Sequence, residues 1–160
     1  MDGPSLAGFL IFIRTVMGIP SSALPDGSSA ITYAYNVAFM TVNPLIGLGV
    51  PVPLTVSSWS IYALAVYNLG GDRLINFAPD QPNSTYFATL RGPIADGGFG
   101  ISTFQAGVVQ AAGDEGTSDT LLVPEIFKAL TLSDLQNLKT PWGREYLAIA
   151  DNFGTLWGIS

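Results

Sequence analysis

From Gly27 through Gly71 the chain carries no Asp, Glu, Lys, Arg or His for 45 consecutive residues. A stretch of that length could make two bilayer passes of about 20 residues each; otherwise it must be buried in a domain or against partner subunits. Its pattern argues against the membrane. Asn36, Asn43, Pro44, Pro51, Pro53 and Asn68 interrupt it. Its flanks, Asp26 on one side and Asp72 and Arg73 on the other, lack the Lys/Arg excess that orients membrane helices. The earlier apolar patch, "MDGPSLAGFLIFIRTVMG", has Asp2 before it and Arg14 inside it, so it reads as a buried helix rather than a signal peptide.

The shortage of charge extends to the whole chain. Only 11% of residues are charged and 48% are hydrophobic, against about 25% charged in ordinary soluble domains. Much of the surface is therefore expected to face something other than water. Six Lys and Arg against twelve Asp and Glu leave a net charge of -6, and the cations are scattered. A face that grips nucleic acid needs them clustered, although an acidic wall can surround DNA without holding it. The 160 residues suit a single domain over 1–160, with 154–160 as a C-terminal tail.

Periodicity and breakers predict a mainly α fold: a small helical bundle with long loops and one extended β-like arm or hairpin. A first helix spans Ser5 to Met17, with Leu6, Phe9/Leu10, Ile13 and Val16/Met17 on its stripe and Ile11 and Phe12 off it, so that it needs cover from two directions. Asp26 or Ser28 caps a second helix running to Asn43 before Pro44, with Ile31, Ala34/Tyr35, Ala38 and Val42 on its buried face. Residues 44–56 form an apolar loop suited to contact.

A third helix covers Ser58 to Phe77, with Ile61, Ala65, Leu69 and Leu74 as core positions and a weak, kink-prone middle at Gly70 and Gly71. Asn83 or Ser84 caps a short helix in "TYFATLRG", a stretch whose residues also suit a strand. Residues 106–124 read as the arm, its tip at Gly113, Asp114, Glu115, Gly116 and Thr117 with Asp119 beside it. Pro124 opens a helical turn, and Thr131 to Asp134 has the form of a capping box, followed by Leu132, Leu135 and Leu138 at helix spacing.

The last helix is the most clearly signalled. Thr140 suits N-cap and Pro141 suits N1. Trp142, Tyr146, Ile149 and Phe153 then form one stripe, Gly154 can end the helix, and Trp157 and Ile159 follow in the tail. The stripe suits either the chain's own core or a partner. For Trp157 and Ile159, beyond the helix, docking is the better reading.

Chemistry is scarce. Without Cys or His there is no disulfide, thiolate or imidazole metal site, and no Ser-His-Asp relay. The glycine clusters "GLGV" and "DGGFG" lack the Lys-Ser/Thr of a phosphate loop. Asp114, Glu115 and Asp119 lack the ligand spacing of a Ca²⁺ loop. Asp72 with Asp80, or Glu125 with Asp134, are the remaining candidate carboxylate pairs. No catalytic residue, cofactor or metal is expected.

Several fragments, in order, resemble the head-to-tail adaptor (connector) proteins of tailed bacteriophages. They are "FIRTVMGIP", "ALPDGSSAITYAYNVAFMTVNP", "YALAVYNLGGDRLINFA", "GVVQAAGDEGTSDTLLVP" and "LKTPWGREYLAIADNFG". The Thr-Pro-aromatic-Gly element followed by Tyr-Leu is the most distinctive, whereas 44–56 and 80–100 match poorly. The resemblance implies a non-enzymatic virion protein of the neck. It would form a ring of itself, typically twelve copies, that meets the portal protein and a downstream neck or tail protein and lets DNA through without reading it. Host cytoplasm would be its place only during assembly, and no membrane is involved. On that reading Trp142, Tyr146, Trp157 and Ile159 dock on a partner or neighbouring subunit, and the 113–119 tip projects or faces the channel. The other readings are a tail terminator or stopper, a holin-like membrane protein, and a carboxylate-dependent hydrolase.

Overall fold

In the computed structural model, residues 3–47, 59–101 and 136–153 are described in full, and 108–111 and 120–122 by their backbone. The described residues form five α-helices: α1 (Leu6–Thr15), α2 (Ser29–Thr41), α3 (Ile61–Phe77), α4 (Tyr86–Arg91) and α5 (Pro141–Phe153), with a 3-10 turn at Ile94–Asp96. The fold is mainly helical, as the periodicity predicts.

Helix α3 is the axis of the bundle. Eleven of its 17 residues are buried, too many for one stripe, so the helix is enclosed on several sides. Helices α2 and α5 make its most extensive contacts, and α1 and α4 add smaller ones. Its small residues let the neighbours approach. A Cβ on Gly70 would stand 2.9 Å from the Phe9 ring, and one on Gly71 3.1 Å from Met17 and 3.4 Å from Trp142. The helix runs unbroken through Gly70 and Gly71. The pair that weakens it locally is where α1 and α5 rest.

Rings fill the space beside this axis. Tyr67 lies between Phe9, Phe12 and Trp59, with centroids 5.3 to 5.9 Å apart, and its hydroxyl accepts the Ser5 N–H at 3.0 Å. Phe12, expected off the buried stripe of α1, is 2% exposed because Trp59 and Tyr67 close over it. Leu6 and Val16, expected on that stripe, are exposed, as is Ile11. The second cover that α1 needs comes from this chain for Phe12, while Ile11 is left uncovered by the described residues.

Local polar groups set the ends. Ser5, Ser28 and Ser60 cap α1, α2 and α3 through their hydroxyls. Asp26, an expected cap of α2, instead pairs with Arg14, whose guanidinium also donates to the carbonyls of Ile19 (2.6 Å) and Leu24 and so fixes the turn between α1 and α2. Neither expected residue alone caps α4. The Asp80 carboxylate accepts from Phe87 N–H (2.7 Å) and Ala88 N–H (3.0 Å), Ser84 adds a 3.3 Å bond from Tyr86 N–H, and Asn83 takes the left-handed turn position. Arg91 closes the other end of α3 by donating to the carbonyls of Ile75 (2.7 Å) and Ala78.

Beyond α2 the chain turns at Pro44 to Gly47, and the Gly47 N–H donates to the Phe153 carbonyl at 3.3 Å, tying this turn to the end of α5. The rest of the 44–56 loop lies outside the described residues. Two short strands, β1 (Val108–Ala111) and β2 (Thr120–Leu122), pair antiparallel with Val109 opposite Leu121 and an irregularity between Val109 and Ala111. These strands fall within the segment 106–124 expected as an arm, but the rest of that segment, the expected tip included, lies outside the described residues, so the arm itself is not shown. The turn at Pro124, the capping box at 131–134 with Leu132 and Leu135, and Gly154 also lie outside them.

Candidate functional site

The start of α5 is built as its sequence suggests, with one bond more. Thr140 caps the helix: its Oγ1 accepts the Gly143 N–H at 3.0 Å. The same hydroxyl donates to Oδ1 of Asp72, in the middle of α3, at 2.6 Å. Asp72 and Thr140 are both fully buried. Burial pushes the Asp72 carboxyl up to about 6, against the opposing pull of the Thr140 hydrogen bond, the Arg73 charge, the Asn76 side-chain amide and the Lys139 charge. Arg73 Nη1 lies 3.6 Å from Asp72 Oδ2, which has no hydrogen-bond partner. Gly143 is obligatory here, since a Cβ would stand 2.7 Å from Asp72 Oδ1 and closer still to the Asn137 carbonyl.

The stripe of α5 faces inward. Tyr146 is 6% exposed, and Ile149 and Ala150 are buried with it against the core. A side chain so enclosed offers almost no surface to a partner, so Tyr146, expected as a docking residue, is reassigned to this chain's core. Trp142 is half-buried, edge-to-face with Phe99 at 5.5 Å and against Gly71. Trp157, Ile159 and the tip residues Gly113, Asp114, Glu115, Gly116 and Asp119 lie outside the described residues.

Apolar surface is exposed elsewhere. Tyr33 (60%) and Met40 (85%) stand on the outward side of α2, with the partly buried Val37 between them; the spacings of four and three put all three on one stripe. Phe39, Phe77 and Ile94 are exposed as well. Between α2 and the C-terminal half of α3 an open groove of about 370 Å³ is lined by Ala30, Tyr33, Ala34, Arg73, Leu74 and Phe77, among others. Sequence reasoning missed this face because Tyr33 and Met40 sit in a run that reads as uniformly apolar. The available signal was their registry opposite Ile31, Ala34 and Ala38.

The candidate carboxylate pair of Asp72 and Asp80 is divided between two structural tasks, one carboxylate holding Thr140 and the other capping α4. Glu125 and Asp134 lie outside the described residues. Among the described residues no cluster of three or more acids could hold a metal ion, and no helix is long and apolar enough to cross a membrane. The uncharged run contributes α2 and the first part of α3 instead of two spans.

Comparison with protein-family models, with curated proteins and with solved structures finds no match.

Proposed function

We propose that this chain is a structural protein of a tailed-phage virion, assembling with copies of itself into an adaptor ring that meets the portal and continues the DNA channel toward the next neck component. The observation that carries the self-association is the outward apolar stripe of α2, Tyr33, Val37 and Met40, in a chain with only 11% charged residues. Large exposed side chains on one stripe suit burial against a neighbouring copy. The phage context rests on the ordered resemblance of the five fragments. A net charge of -6 suits a wall past which DNA slides. The segment 106–124, expected from its sequence to form an arm and carrying Asp114, Glu115 and Asp119, is the part we assign to the channel or to a projection.

In intact particles carrying a label on the chain's C-terminus, low-resolution imaging should place the label at the capsid vertex, between head and tail. Label on the tail shaft, on the capsid faces or nowhere on the particle would overturn the assignment. A tail-terminator or stopper role differs in its partner: capture of tail-tube protein without portal would favour it.

A further inference from the structure

Residues 93–97 form a projecting turn, exposed throughout, with Ile94 at its crest 77% exposed. The backbone fixes it. Gly97 N–H donates to the Ile94 carbonyl and Gly98 N–H to the Pro93 carbonyl, each at 3.0 Å, and Phe99 N–H ties the turn to the Leu90 carbonyl of α4 at 2.7 Å. A side chain presented on so closed a turn loses little backbone entropy when it docks. Among the exposed large apolar side chains of the described residues, Ile94 alone has an acid within two positions, Asp96. The Asp96 carboxylate is in no ion pair among the described residues.

The groove between α2 and α3 has the complementary make-up: apolar walls from Tyr33, Leu74 and Phe77, and one cation, Arg73. Arg73 stands 3.6 Å from Asp72 Oδ2, too far for a hydrogen bond, so its guanidinium has donors to offer a second acceptor. The other arginines of the described residues are turned to carbonyls of their own turns: Arg14 to Ile19 and Leu24, Arg91 to Ile75 and Ala78, and Arg144 to Leu138.

Turn and groove stand on different sides of α3. Through Phe99 the turn leans on Trp142 of α5, which covers Gly71, whereas Arg73 and Phe77 look toward α2. At 3.6 residues per turn Gly71 and Arg73 point in nearly opposite directions. A knob on one side and a matching groove on the other pair head to tail, the arrangement that closes rings when the rotation allows.

We propose that the 93–97 turn of one copy docks in the α2–α3 groove of the next, with Ile94 among Tyr33, Leu74 and Phe77 and the Asp96 carboxylate on Arg73. The proposal rests on the self-association in the functional reading above and not on its phage context. Tyr33 belongs to both the groove and the outward stripe of α2, so the contact is continuous with that apolar face.

The test compares assembly of wild type, Ile94→Ser, Asp96→Asn and Phe77→Ser by light scattering over a concentration series, alone and with the portal. All three side chains are exposed, and thermal denaturation checks that each variant folds. Ile94→Ser and Phe77→Ser should each raise the concentration for half-assembly by about tenfold or more, and Asp96→Asn should flatten its salt dependence. Photo-leucine in place of Ile94, on isotope-labelled copies mixed with unlabelled ones, should cross-link to residues 29–34 or 73–79 of another copy. Wild-type assembly that Ile94→Ser leaves unchanged, or cross-links that fall within one chain or elsewhere on its neighbour, overturns this contact and leaves the self-association standing. A wild type that stays monomeric in both conditions overturns the two together.

Discussion

The Phe9 ring occupies the place where a side chain on Gly70 would begin: a Cβ there would stand 2.9 Å from Cε2 and Cζ. Phe9 is fully buried among Tyr35, Tyr67 and α3, so its ring has nowhere to retreat. Gly70→Ala would gain up to about 1 kcal/mol in helix propensity and lose about 1–3 kcal/mol to overpacking. The clash wins, and urea denaturation should show a net loss of stability. The same substitution at Gly27, where a Cβ meets nothing within 4 Å, should lack the packing penalty.

Thr140 serves α5 and Asp72 with one hydroxyl, so its variants separate sharply. Thr140→Ala removes the cap, worth about 1 kcal/mol, and takes the 2.6 Å Thr140 hydrogen bond from the buried Asp72 carboxyl, a further cost of about 1–3 kcal/mol. Thr140→Ser keeps both bonds and should retain most of the stability. Equal losses in thermal denaturation would mean that the Thr140 methyl, and not its hydroxyl, holds the junction.

The pH dependence has a definite sign. Asp72 binds its proton more tightly in the folded chain, about 6 against 3.8, so between those values the folded state carries the extra proton and stability falls as pH rises. The effect of this group is about 3 kcal/mol, complete by about pH 7 and absent below the unfolded value. Asp72→Asn should therefore lose stability at pH 4 relative to pH 8 when each is measured against wild type, and exceed wild type at pH 8. Denaturant midpoints across that range check it.

Asp80 shows what the sequence left hidden. The start of α4 was legible, but its principal cap lies outside the usual capping spacing: Asp80 reaches Phe87 and Ala88 across a turn. Asp80→Ala should cost about 1–2 kcal/mol and expose the α4 amides to exchange.

The same limit runs through the fold. Helix existence was readable because Ser28 and Thr140 cap locally and Pro44 and Pro141 mark boundaries, whereas Ser5 and Ser60, the caps of α1 and α3, were not read as caps. Which face of α1 is buried was not, because Trp59 and Tyr67, about 50 residues away, decide it. The outward stripe of α2 was hidden for a related reason: in an uncharged helix, core and contact surface have the same composition. The Asp72–Thr140 bond spans 68 residues, and nothing in either neighbourhood advertises it. Thr140 was visible as a cap but not as a donor.

The outward face of α2 can be tested apart from the core. Tyr33→Ser with Met40→Ser alters exposed side chains, so each should change monomer stability by no more than about 0.5 kcal/mol. Association should be lost if the stripe is the subunit contact. Unimpaired association would move the contact elsewhere.

The most direct test of the account is the mass of the native protein, alone and mixed with its cognate portal, measured by light scattering on a size-exclusion column. The chain is 16.9 kDa. The account predicts a closed multimer, about 200 kDa for the twelve copies the resemblance implies, formed either alone or as a fixed increment on the portal ring. A monomer at every concentration that also elutes apart from the portal would contradict it.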